Sequence, residues 1–114
     1  MTRYETAISC QAEQDLREIF EYIAFELLAP ESANSQLTRL ERAIGKLETF
    51  PEKHRQYAKE PWKSRNLRVM PVDDYCVFYI PDKEEMTATV IRVIYGGRDI
   101  DKQLEQFTDD IPEA

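Results

Sequence analysis

The sequence holds one histidine, two cysteines, one tryptophan and three glycines in 114 residues. Cys10 and Cys76 stand 66 positions apart, so they form neither a thiolate metal motif nor a redox pair. With His54 as the only imidazole, a zinc site would have to be assembled from scattered carboxylates, and no metal and no cofactor are expected. Nothing approaches the apolar run of roughly 18 residues that a membrane span requires. The opening "MTRYETAISC" has no signal-peptide core. These absences imply a cytoplasmic protein with reduced thiols and no membrane partner. Repeats, low-complexity stretches and Gly/Ser linkers are missing as well, so one domain over residues 1–107 is expected, followed by an acidic flexible tail at 108–114.

What is present is charge, unevenly distributed. The net charge is −7, yet residues 52–70, "EKHRQYAKEPWKSRNLRVM", carry six basic and two acidic side chains. Residues 1–31 carry seven acidic and two basic ones. A chain this acidic has no generic affinity for nucleic acid, and a polyanion would have to find a local patch.

Hydrophobic periodicity organises the rest. Alternation in "RYETAIS" predicts a first strand. Leu16, Ile19, Phe20, Ile23 and Leu27 then recur at helical spacing. Pro30 is placed to open a second helix, whose stripe is Ala33, Leu37, Leu40, Ile44 and Leu47. The connection is short, so the two helices should form an antiparallel hairpin, and Gly45 suggests a close approach to a neighbour. "LRVMPV", "YCVFYI" and "TATVIRVIY" read as a three-strand meander, and "DIDKQLEQF" as a last helix capped by Asp99. The predicted class is α+β in the order β-α-α-β-β-β-α, a helical hairpin packed on a small antiparallel sheet.

The most chemically loaded stretch is "VIRVIYGGRDI", a strand that runs into the only Gly-Gly pair and then into Arg98. The glycines allow a sharp exit by taking positive φ. Arg98 could pin this corner to Asp73, Asp74 or Asp101, as lone arginines often do. Alternatively Arg68, Arg92 and Arg98, with Lys63 and Arg65 entering the meander, share a sheet face as a cationic floor. Trp62 could stack a base, anchor a partner helix or pack its loop onto the sheet. His54 reads as a solvated loop residue, both cysteines as small buried hydrophobes, and the acidic first helix as a solvated face.

"LRVMPVDDYCVFYI" followed by "VIRVIYGGRDI" resembles the last three strands of the RelE/ParE superfamily, the toxin halves of bacterial type II toxin–antitoxin modules. The helical hairpin and its "FPEKHRQY" exit are similar too, so the resemblance spans about residues 3–104. It implies a toxin that inhibits a central cellular process, stabilises plasmids, and is neutralised by a cognate antitoxin that also sets its oligomeric state. The RelE branch implies a metal-independent, ribosome-dependent mRNA endoribonuclease, in which Arg68 and Arg98 match two catalytic cations. Cys76 and Leu104 depart from that branch, which carries an arginine and a tyrosine there. The ParE features are closer, and that branch implies DNA gyrase as a target bound rather than cut. Lys63, Arg65 and Arg92 are then candidates for target or RNA contact, and Trp62 for partner contact. A non-toxic member that only binds its antitoxin is the third reading, so whether the chain is an enzyme stays open.

Overall fold

The computed structural model describes residues 3–106. The tail at 108–114 lies outside the described residues. The elements are β1 (Glu5–Ile8), α1 (Cys10–Glu21), a π turn (Tyr22–Glu26), α2 (Pro30–Gly45), β2 (Arg68–Val72), β3 (Tyr75–Asp82), β4 (Thr87–Tyr95) and α3 (Ile100–Gln106). This is the expected α+β order, and the meander β2-β3-β4 is antiparallel throughout.

The strand order is β1-β4-β3-β2, and β1 runs parallel to β4, with Glu5 opposite Thr87 and Ile8 opposite Val90. The sheet is therefore mixed rather than wholly antiparallel. The helical hairpin and the meander together carry the chain back far enough for a parallel pairing, which a tight turn could not do.

Ser9 starts α1 where β1 ends. Its hydroxyl accepts from the Ala12 N–H at 3.1 Å and donates to the Ile91 carbonyl at 3.0 Å, so the helix cap is also a link to β4. The stripe of α2 behaves as its spacing predicts. Ala33, Leu40, Ile44 and Leu47 are buried, and Leu40 packs with Leu16, Val77, Tyr79 and Val90 in one core on the helical side of the sheet. Each leucine buried there contributes roughly 2 kcal/mol. Gly45 serves no close approach, since a Cβ added to it would meet nothing within 4 Å. It stands where α2 ends.

The opposite face is covered too. Trp62, Leu67, Val69, Phe78, Ile91, Ile94 and Leu104 form a second core beneath the 55–67 segment and α3. That cover explains why β3 and β4 are apolar on both faces. It also corrects the expectation of a cationic floor, because this face presents no shared surface for Arg68, Arg92 and Arg98. The same segment shields the outer edge of β2, where the Val69 N–H donates to the Arg55 carbonyl at 3.0 Å and Gln56 bridges to Arg68.

Candidate functional site

A cleft of about 880 Å³ opens between the end of α1, the π turn and the end of β4. Its walls are mixed, with Ile19, Tyr22 and Val93 beside Glu18, Asp74 and Arg98. The corner after β4 builds one rim. The Gly96 N–H donates to the Asp74 carbonyl at 2.9 Å, and a Cβ on Gly96 would come within 3.3 Å of that same oxygen. At Gly97 a Cβ would lie 2.5 Å from the ring of Tyr95. Neither glycine has positive φ, so what the pair supplies is room rather than an unusual backbone. Tyr95 folds over Gly97 and meets Tyr75 edge-on, with ring centroids 5.9 Å apart. Asp99 then caps α3 by accepting from the Lys102 N–H at 3.2 Å.

Arg98 is exposed at this corner, and among the described residues its guanidinium makes no ion pair. The proposed pins are otherwise engaged or out of reach. Asp73 accepts from Arg39 at 2.8 Å and from Gln36 at 3.0 Å. Asp101 is held by Tyr57 and Lys59, whose contacts pull its carboxyl below the usual range. Asp74 lines the same cleft as Arg98 without pairing to it. Burial pushes the Tyr75 hydroxyl up, with Asp74 adding to the shift and Arg98 opposing it, so the phenol stays protonated at neutral pH.

Arg92 is somewhere else in character. It is 4% exposed, and its Nε and Nη2 donate to the two carboxylate oxygens of Asp15 at 2.7 and 3.0 Å, while Nη1 donates to the Gln103 carbonyl at 2.7 Å. A bulge opposite Phe78 releases it: Phe78 faces Arg92 and Tyr79 faces Val90, leaving Ile91 as the extra residue. A charge so fully paired is a structural tie between α1, β4 and α3.

Arg68 is half-buried and also braces the chain. Its Nη1 donates to the carbonyls of Glu52 and His54 at 2.7 and 2.9 Å, and its Nη2 to Asn66 at 3.2 Å. It lines a smaller cavity of about 290 Å³ with Lys83. Arg68 pairs across from Tyr79, whereas the Arg98 corner follows Tyr95, which pairs with Tyr75. The two arginines thus flank opposite ends of the five-residue stretch 75–79 of β3, whose four steps span roughly 13 Å at the usual strand rise. Lys63 and Arg65 are exposed on the turn that covers the second core, with the Arg65 guanidinium 5.5 Å over the Trp62 ring. Trp62 itself is 6% exposed, its ring committed to this chain's own core instead of standing free for a partner.

Two features escaped the sequence reading. Asp15 falls at a stripe position between Ala12 and Ile19, a signal that a buried partner charge existed; the acidity of the rest of α1 masked it. His54 is half-buried rather than solvated. It meets Tyr79 edge-on at 6.2 Å, and burial, then the neighbouring Lys53, lowers its pKa. Neither cysteine is fully buried as expected: Cys76 is half-buried, and Cys10 is exposed in the first turn of α1.

The family model for the ParE toxin of the type II toxin–antitoxin system, parDE, matches residues 7–100. The chain belongs to the ParE toxin family. Solved structures agree on the fold. This ParE-family chain is similar to one from the chromosomal ParDE toxin–antitoxin system of P. aeruginosa, at a TM-score of 0.67 and 13% identity over 81% of this chain and 95% of that one. It is similar also to a chain of the RelBE2 toxin–antitoxin complex of Mycobacterium tuberculosis, at a TM-score of 0.59 and 19% identity over 83% of this chain and 93% of that one. Among curated proteins none matches. Within the ParE fold, the α1 end, the π turn and the β4 corner hold the cleft, and Arg98 is its exposed cation.

Proposed function

We propose that this ParE-family toxin acts by binding its target, DNA gyrase, through the Arg98 corner, and that a cognate antitoxin holds it inactive. The observation that supports binding is the dispersal of the cations. Metal-free cleavage of RNA needs a proton acceptor and several cations converging on one phosphate. Here Arg68 is bonded to two carbonyls, Arg92 is buried against Asp15, and of the three only Arg98 is exposed. Lys63 and Arg65 lie on an exposed turn and add a second cationic patch that a target could use. The antitoxin follows from the family, and from two similar chains that come from toxin–antitoxin systems.

The test sets the purified chain against gyrase in a supercoiling assay and against message in a translating extract. The expected result is inhibited supercoiling with intact message. Cleavage of ribosome-bound message would instead support the RelE-type endoribonuclease. Neither effect, with antitoxin binding retained, would leave a non-toxic member.

A further inference from the structure

The tip of the helical hairpin carries a surface that the Arg98 corner does not account for. Tyr22, Phe25, Leu27 and Leu28 are all exposed there, Phe25 at 66% and Leu28 at 82%. The π turn brings them out. Its wider hydrogen bond, Leu27 N–H to the Tyr22 carbonyl at 3.1 Å, shifts the helical register, so Leu27 leaves the stripe that predicted it buried, and the Ala29 N–H then closes the helix end on the Ile23 carbonyl at 3.0 Å. Leu28 has φ 53°, a conformation that glycine or asparagine adopts at lower cost. Neither burial nor backbone geometry accounts for a leucine at this position.

Along the hairpin tip itself the charge has one sign, with Arg17 one turn before it and Arg98 across the cleft that Tyr22 and Leu27 line. Between Glu18 and Thr38 the chain holds Glu18, Glu21, Glu26 and Glu31 and no lysine, arginine or histidine, and all four glutamates are exposed. We propose that the hairpin tip is a docking surface for a short amphipathic helix of another protein, one that carries Lys or Arg beside its apolar stripe. Apolar side chains spaced along a helix end suit a facing helical stripe, and the ring of carboxylates fixes the sign of what flanks that stripe. A second copy of this chain would bring the same four glutamates against each other across an isologous contact. Nucleic acid and anionic membranes meet the same repulsion. Tyr22 and Leu27 also line the cleft, so a helix seated on the tip continues towards its mouth.

The experiment titrates the full chain into two labelled synthetic helices that share one leucine stripe, one flanked by lysines and the other by glutamates, and reads anisotropy. The lysine helix binds, more weakly as salt rises, and the glutamate helix is weaker by at least about tenfold. Phe25→Ser with Leu28→Ser abolishes binding while the melt stays that of the wild type, both side chains being exposed. Glu21→Lys with Glu26→Lys reverses the preference between the two helices. Equal binding of the two helices, binding of neither, or lysine-helix binding unchanged by Phe25→Ser with Leu28→Ser overturns the proposal. A dimer dissociated by Leu28→Ser also overturns it, by assigning the patch to a second copy. None of these outcomes bears on the gyrase reading, which supercoiling measures separately.

Discussion

Asp15 and Arg92 form a bidentate ion pair between α1 and β4, with both side chains more than nine-tenths buried. The same carboxylate accepts from the Val93 N–H at 2.9 Å, replacing the ladder bond that β4 loses where β1 stops at Ile8. With the Gln11 side-chain amide, which donates to it at 3.2 Å, four donors therefore depend on one side chain.

Asp15→Ala leaves a buried guanidinium and a backbone N–H without their acceptor, a loss of about 3–5 kcal/mol. Asp15→Leu combined with Arg92→Met removes both charges and should recover a large part of that loss. Urea unfolding of the three variants checks this. A double variant no more stable than Asp15→Ala would mean that the pair's geometry, not its charge balance, supports the fold.

Arg68→Ala tests a role that the sequence alone did not reveal. A paired surface arginine would contribute under about 1 kcal/mol. Arg68 instead donates to two carbonyls that fix the 52–54 segment. Hydrogen bonds from a charged donor raise the expected cost to about 2 kcal/mol, read in a denaturant melt, with added proteolytic sensitivity near Lys53. A loss indistinguishable from zero would show that this bracing is dispensable.

The helical seam and the meander were legible because each is set by local periodicity. Leu40, Ile44 and Leu47 had one face to occupy, and Val77 and Phe78 could be core on both sides of a central strand. The parallel pairing of β1, the bulge that frees Arg92 and the cover over the second face depend on contacts between residues far apart in sequence. Trp62 and Arg68 were visible as notable residues, but which of their neighbours absorbed them was not. The π turn left no periodic trace beyond a stripe that ran one turn too far, to Leu27.

Acid should loosen the links between helices and sheet. Hydrogen bonds from Arg39 and Gln36 hold the Asp73 carboxyl below its ordinary value, and those from Lys59 and Tyr57 do the same for Asp101. Their folded pKa values lie below the unfolded ones, so this stabilisation is complete above about pH 4 and is lost as pH falls through the folded values. His54 is also lowered by burial, so a separate loss begins as pH drops below about 6.5, its unfolded value. Thermal melts from neutral to acid pH should show both windows. Asp73→Asn with Asp101→Asn should flatten only the lower one, and an unchanged acid slope in that variant would assign it to other groups.

The function proposed here depends on Arg98 being free to act while the fold does not need it. The most direct measurement is growth inhibition by the wild type and by Arg98→Ala at matched expression, with a melt of each purified protein. The expected result is a sharp loss of toxicity in Arg98→Ala with stability within about 1 kcal/mol of the wild type, since an exposed charge without an ion pair adds little to folding. A toxic wild type and an equally toxic Arg98→Ala variant would contradict it.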